Sequence, residues 1–319
     1  MAGKHPIRFG LQTAPEGGSW SEMVKVWKFA DDLGYDSMWT SDHMITSLFQ
    51  ENLDTPVFDG WTSLAGLLAS TRRVRGGVMI TGVMYRNPAQ LAKVAATVDH
   101  MCDGRLIMGI GAGWHKLEHE AYGYDFPAPA ERVHRMGEAI EIFKRMWTES
   151  RASFDGKYYQ IKDAICEPKP VQQPRIPIWV GGWGEKLTLK YCAMHGDGWN
   201  LTGSPMNLPR KVEALQRHCD AVGRNIDDIE KSVMHMRLLT DDDHEKTKRF
   251  VEEWAKKRGL EYDDMRGHYM VGPNEEMRET IGKLIDLGCT HFVAEVVQPY
   301  DYEGIERWYR EVAMHFKRQ

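Results

Sequence analysis

Long apolar runs are missing from this 319-residue chain. No stretch approaches the ~18 consecutive apolar residues that a membrane-spanning helix needs. The opening residues, Met1 to Gly10, run into a strand-like segment without an apolar leader. Cysteine is sparse and scattered: Cys102, Cys166, Cys192, Cys219 and Cys289 form no CxxC pair, which indicates neither a disulfide framework nor a zinc knuckle. Positive charge is not in excess either. A formal net charge of −5 gives no general attraction for nucleic acid or an anionic membrane. These absences point to a soluble protein of the reducing cytoplasm whose partner is a small-molecule substrate.

What is present is globular composition, 42% hydrophobic and 27% charged, with a generous 11 Trp and 18 Met. Short β-rich runs alternate with amphipathic stretches. Ile7–Gln12 reads as a strand, followed by a helix from about Ser19 to Leu33. Ser19 caps that helix with Glu22 at capping-box spacing, and Gly34 stops it. Further strands are predicted at Asp36–Thr40, Val74–Thr81, Arg105–Gly109, Ile176–Gly181, Gly198–Leu201, about Lys231–Leu239 and His291–Val297. Helical patterns stand between them, and Asn87-Pro88 opens one with proline in its first turn. This strand–helix alternation without an internal linker predicts a TIM-type (β/α)8 barrel forming a single domain over 1–319. An insertion at about 112–174 follows the fourth strand. It contains a helix from about Ala130 to Thr148 and a hairpin signal, Asp155-Gly156, within Phe154–Tyr159.

Three strand ends carry the chemistry. Arg105–Trp114 (RLIMGIGAGW) breaks into the alternating glycines Gly109, Gly111 and Gly113, then an aromatic residue. Ile176–Gly184 (IPIWVGGWG) breaks similarly, and a third strand ends in Thr40-Ser41-Asp42-His43. Glycine there lets backbone N–H groups approach a phosphate or a flat ring. Gly181, Gly182, Trp183 and Gly184, followed by a helix from Glu185, have the physics of an anion loop. His43, a side chain whose ordinary pKa lies near neutrality, suits proton transfer. GIGAGW fails the dinucleotide pattern because Trp114 stands at its third glycine. His115–His119 spells H-x-x-E-H, an inverted zinc-peptidase pattern. It follows a glycine loop and meets Ala-Tyr-Gly at once, without the long helix that such a site needs, so no metal site is read here.

Taken together, SDHM (41–44), YRNPAQLAK (85–93), DGRLIMGIGAGW (103–114), HEAYG (119–123), PIWVGG (177–182) and GDGWN (196–200) resemble the bacterial-luciferase-like superfamily, within it the oxidoreductases of the deazaflavin coenzyme F420. The resemblance runs from about Ile7 to Val297. It implies a barrel with F420, or alternatively FMN, at the carboxyl ends of the strands, and a homodimer. It implies a coenzyme contact at Asp42 and acid–base duty for His43. It also implies a non-proline cis peptide at Met79–Ile80 whose bulge backs the ring, and a Thr81 hydroxyl at the ring edge. Gly111, Ala112, Gly113 and Trp114 would line the ring, and Gly181 to Gly184 would hold the phosphate. Sugar-phosphate dehydrogenases of the family have a catalytic glutamate where Trp114 stands, and a Trp soon after the S-D-H, where Ile45, Thr46 and Ser47 stand here. Those departures, with Phe49, Phe58, Tyr122, Phe126, Met234 and Met236 nearby, point to a mainly apolar substrate. A reduced-FMN monooxygenase is the alternative on the same barrel, and a cofactor-free binding or oligomerisation barrel is the alternative of another class.

Overall fold

The computed structural model describes residues 4–47, 52–202, 208–259, 261–262, 266 and 268–318. The strands are β1 (Arg8–Thr13), β2 (Ser37–Thr40), β3 (Arg75–Val78), β4 (Thr81–Gly82), β5 (Met108–Gly111) and β6 (Ala152–Asp155). They continue with β7 (Gln160–Ala164), β8 (Ile178–Gly181), β9 (Gly198–Thr202), β10 (Glu230–Thr240), β11 (Tyr269–Gly272) and β12 (His291–Val296). The hydrogen-bonded order β3-β2-β1-β12-β10-β9-β8-β5-β4 is parallel throughout. A Gly76–Leu106 bridge joins β3 to the segment before β5 and closes the ring. With β3 and β4 as two halves of one stave, this is the expected TIM-type barrel. No helix among the described residues is long and apolar enough to cross a membrane.

The helices α1 (Trp20–Leu33), α2 (Gly60–Ala69), α3 (Pro88–Met101), α4 (Lys116–Ala121), α5 (Pro129–Thr148), α6 (Thr188–His195), α7 (Leu208–Ala221), α8 (His244–Arg258) and α9 (Asn274–Asp286) fill the intervals between strands. Local chemistry sets several boundaries as the sequence predicts. The Ser19 hydroxyl accepts from the Glu22 amide, Gly34 ends α1 in the left-handed region (φ 110°), and Asn87 caps α3 ahead of Pro88. Most of the insertion belongs to the barrel. The buried face of α5, including Met136, Ile140, Phe143 and Trp147, joins the common core, and α5 packs on α3 as the helix of the fourth unit. Only α4 and the antiparallel β6–β7 hairpin are additions. Glu138 pins that hairpin, accepting from the Lys157, Tyr158 and Tyr159 amides at 2.9, 2.9 and 3.0 Å.

Four expectations need correction. The third stave is not continuous over Val74–Thr81: it stops at Val78 and resumes at Thr81. A regular strand turns successive side chains to opposite faces. Met79 instead joins the inward-facing cluster of Trp39, Ile107, Trp179, Met234 and Val293, and Ile80 packs against the same cluster. Two neighbours facing inward break the pleat, and the peptide between them is cis, as the resemblance implies. The fourth stave runs over Met108–Gly111 rather than Arg105–Gly109, so Gly109 and Gly111 are strand positions. Helix α6 begins at Thr188, not Glu185. Strand β11 is absent from the sequence expectation; it pairs with the far end of β10 from Met236 onward, across a register shift at Arg237.

Inside the barrel a polar floor underlies the apolar plug. The Ser37 hydroxyl contacts His291 Nε2 at 2.7 Å, His291 Nδ1 meets Glu230 Oε1 at 3.2 Å, and Arg8 reaches the same carboxylate oxygen at 2.5 Å. The Trp39 indole donates to Ser37, and its ring lies 4.9 Å from that of Trp179.

The break in the third stave leans on glycine. A Cβ on Gly181 would stand 2.6 Å from Ile80 Cγ1, one on Gly111 3.0 Å from Cγ2, and one on Gly109 3.0 Å from Cδ1. The Ile80 side chain thus occupies the volume that side chains would fill at Gly111 and Gly181 and borders that at Gly109, where the Val78 carbonyl would stand closer still, 2.2 Å from a Cβ. Gly181→Ala should cost about 1–3 kcal/mol in chemical denaturation, the usual range for an overfilled core. Ile80→Ala on the same chain should restore part of that loss. A double-mutant cycle with no coupling energy would refute the shared volume.

Candidate active site

The carboxyl ends of the barrel strands gather nearly all the residues that the sequence singles out. His43 lies two residues past the buried Ser41, in the loop after β2. Its Nδ1 stands 3.0 Å from Glu118 Oε2, and the Trp114 and His115 rings meet it edge-on at 5.7 and 5.8 Å. Glu118 comes from α4, is completely buried, and is surrounded by donors. The Tyr85 hydroxyl donates to Oε2 at 2.6 Å, while the Met44 amide and, at 3.3 Å, the Ile45 amide donate to Oε1. Helix α4 exists to deliver this carboxylate, since His115 caps it by accepting the Glu118 amide at 3.2 Å.

The electrostatics follow from those contacts. Burial alone would raise the pKa of Glu118, but the hydrogen bonds from His43, Tyr85 and the Met44 amide hold it down to about 2. Burial works against a charge on His43, yet Glu118 first, with Glu16 and Asp42 adding, offsets it and the His43 pKa is raised. His115 is lowered by burial, in keeping with its role as an uncharged acceptor. The H-x-x-E-H pattern therefore forms a helix cap and a carboxylate hub. Among the described residues no group of three or more candidate metal ligands exists.

The other predicted site residues divide. Asp42 is buried with its carboxylate on Arg86 Nη1 at 2.7 Å, and Arg86 Nη2 reaches Asp59, the cap of α2, at 2.6 Å. Burial raises the Asp42 pKa in spite of Arg86. Thr81 does not reach the mouth: its fully buried hydroxyl accepts from the Trp61 indole of α2 at 2.8 Å. Met79 lies in the plug, and its carbonyl accepts from Gln12 Nε2 at 2.8 Å. Ile80 is partly exposed above Gly111 and Gly181. Ala112 packs on the core, and Gly113 (φ 76°) turns the chain beside His119. Trp114 is 60% exposed. Of the apolar residues predicted around a substrate, Met234 is in the plug, while Phe58 and Tyr122 are exposed. Phe49 lies outside the described residues.

In the second glycine loop, the Gly182 amide (φ 116°) is already committed to the Asn200 carbonyl at 3.1 Å, and its carbonyl accepts from Trp199. No described hydrogen bond uses the amides of Trp183, Gly184 or Glu185, and α6 starts without a side-chain cap. Such a helix start favours an anion. Of the buried oxygens without a partner among the described residues, two lie here, Ser41 Oγ beside His43 and Gln12 Oε1 beneath the break in the third stave. Buried polar atoms are normally satisfied, so these atoms fit a polar, phosphate-bearing coenzyme. The sequence reading passed over Glu118, Tyr85, Arg86 and Gln12. The first three lie within or beside the quoted motifs, but only a fold brings residues 44 and 75 positions from their partners into contact.

Comparison with known proteins agrees with this geometry. The family model described as luciferase-like monooxygenase matches residues 3–262. An F420-dependent glucose-6-phosphate dehydrogenase of Kineococcus radiotolerans is 32% identical over 256 residues, covering 78% of this chain and 73% of that protein. In structure, an F420-dependent secondary alcohol dehydrogenase in complex with an F420–acetone adduct superposes with TM-score 0.86 at 21% identity, over 99% of this chain and 100% of that one. An FMN-bound type II Baeyer–Villiger monooxygenase component from Pseudomonas putida matches with TM-score 0.75 at 20% identity, over 97% and 99% of the two chains. At those identities the structural likeness speaks for the fold alone. The matched family model and the dehydrogenase relative go further: this chain belongs to the luciferase-like superfamily, on its F420-dependent oxidoreductase branch.

Proposed function

We propose that this protein transfers a hydride between coenzyme F420 and a small, mainly apolar organic substrate, with His43 giving or taking the accompanying proton. The observation that carries this reading is His43 itself, an imidazole beside the exposed Trp114 and tied to the buried carboxylate of Glu118. When bound, a deazaflavin supplies hydride transfer, and its protein need only orient it, exclude water and handle one proton. The chain has residues for each task. Ile80, fixed by Gly109, Gly111 and Gly181, offers an apolar surface for one face of a ring. Ser41 and Gln12 offer unpartnered oxygens for its polar edge. The amides of Trp183, Gly184 and Glu185, in the loop and turn ahead of α6, offer a phosphate cradle. Asp42, tied to Arg86, supports the His43 loop and is proposed to meet the coenzyme through its backbone.

The substrate reading rests on what surrounds His43. Trp114 and Tyr122 expose aromatic rings, and the hydrogen-bond partner described for the His43 ring is a carboxylate, not a Lys or Arg. The glucose-6-phosphate dehydrogenase relatives act on an anionic sugar; this mouth favours a less polar ligand. The FMN-bound neighbour keeps a reduced-FMN monooxygenase as the second reading.

Coenzyme choice is tested by fluorescence titration. F420 should bind at least about tenfold tighter than FMN at the same ionic strength, a difference of about 1.4 kcal/mol. Equal or tighter FMN binding would favour the monooxygenase.

The cradle is tested at Trp183, which is 53% exposed and can change without straining the fold. Gly182 is a poorer choice, because its positive φ penalises any side chain. Trp183→Glu should weaken F420 at least about tenfold at low salt, less so at high salt, with an unchanged melting temperature. Unaltered affinity would move the phosphate elsewhere.

His43→Ala should lower turnover by about 10²–10⁴-fold, the range for losing a general acid or base, with a modest change in F420 affinity. The wild-type pH profile should carry a limb above the ordinary histidine range, because the His43 pKa is raised. Oxidation needs the neutral ring and should speed up as pH rises through that limb; reduction needs the cation and should slow down. Near-normal turnover in a destabilised variant would make His43 a packing residue.

A further inference from the structure

We propose that Glu118 is the positioning residue of the proton-transfer site: it fixes the His43 imidazole with Nδ1–H on its own carboxylate, so that Nε2 alone exchanges a proton with substrate. The proposal rests on the role of His43 given above, and it names which nitrogen works and what holds it.

Every other hydrogen bond described for the Glu118 carboxylate comes from a donor: the Tyr85 hydroxyl on Oε2 and the Met44 and Ile45 amides on Oε1, while His115 Nδ1, an acceptor, stays 4.0 Å from Oε2. Three donors besides His43 converge on this carboxylate, which favours its ionised form, an acceptor only. The atom of His43 facing it at 3.0 Å must then carry hydrogen, and that atom is Nδ1. In the neutral ring the lone pair therefore sits on Nε2.

The other groups facing His43 do not compete for Nδ1. Trp114 and His115 present ring edges, and His115 Nδ1 is occupied by the Glu118 amide. Asp42, on the same loop, is held by Arg86. Glu16, after β1, accepts from Thr46 and from Ser47. Among the described residues Glu118 is the carboxylate paired with this ring.

The proton balance follows. In oxidation the substrate heteroatom gives its proton to Nε2 while the adjacent carbon gives its hydride to the coenzyme. The imidazolium is stabilised by Glu118, which stays ionised. In reduction Nε2–H returns the proton. The raised pKa of His43 and the depressed one of Glu118 agree with this ordering.

The test reads His43 directly, by ring ¹³C and ¹⁵N NMR on the coenzyme-free protein, the signal being assigned by its loss in His43→Ala. In the wild type the neutral ring should be the Nδ1–H tautomer. Glu118→Gln keeps an acceptor for Nδ1–H but removes the charge, so His43 should keep its tautomer and titrate at least about one pH unit lower. Tyr85→Phe removes a competing donor from Oε2, leaves more of the charge to His43, and should move the titration upward. With F420 the pH limb of kcat should move the same way in each variant, while KM and coenzyme affinity stay within about twofold. An Nε2–H tautomer in the wild type, or a titration unmoved by Glu118→Gln in the folded protein, overturns the proposal. A melting temperature that falls without either shift gives Glu118 a structural role and overturns it as well. If the wild type fails to turn over F420, the functional reading falls, and the titration still decides what Glu118 does to His43.

Discussion

The Ile80 side chain, pressed into the space above Gly109, Gly111 and Gly181, sets the shape of the barrel mouth. A regular strand would send Ile80 outward and leave an unfilled notch where three inward positions lack side chains. Filling it requires Met79 and Ile80 to face the same way, which ends β3 and restarts the chain as β4. The rest follows in sequence. Met79 turns its carbonyl to Gln12, Thr81 returns to the outer face and takes the Trp61 indole, and Tyr85 is delivered to Glu118. Glycine at these positions makes room for one protein side chain, and that side chain forms the surface at the mouth.

Two buried charge clusters then fix the loops around it. Arg86 ties Asp42 to the cap of α2, and Glu118 ties His43 and the Met44 amide to α4. Each joins a segment after β2 to one that follows β4 or β5, so the loops cannot shift independently. A buried carboxylate without partners would carry a large desolvation penalty, and Glu118 has a donor for each oxygen. That full satisfaction lets a short helix of six residues hold the His43 loop.

Much of this was legible in sequence because it depends on local signals. Ser19, Gly34, Asn87 and Pro88 marked helix ends, alternating β-rich runs marked staves, and short glycine-bearing motifs carried the superfamily and the Met79–Ile80 break. What escaped needed partners distant in the chain. GIGAG reads as an open ligand loop until Ile80, some thirty residues earlier, is seen to occupy it. H-x-x-E-H invites a metal reading because spacing cannot tell that His115 caps, that His119 turns its Nδ1 to the His115 carbonyl, and that Glu118 meets a histidine 75 residues away. The start of α6 moved because residues 185–187 form a turn, which propensity does not separate from a first helical turn.

The polar floor of the barrel has a kinetic corollary. Ser37, His291, Glu230 and Arg8, roofed by the Trp39–Trp179 pair, close the amino-terminal end against solvent. Traffic to the mouth is therefore one-sided, like that of a vessel open only at the top. Of two molecules stacked in such a vessel, the deeper must arrive first and depart last. If coenzyme and substrate stack in this way, binding and release are ordered, and a tightly held inner ligand is carried through successive turnovers while the outer one exchanges.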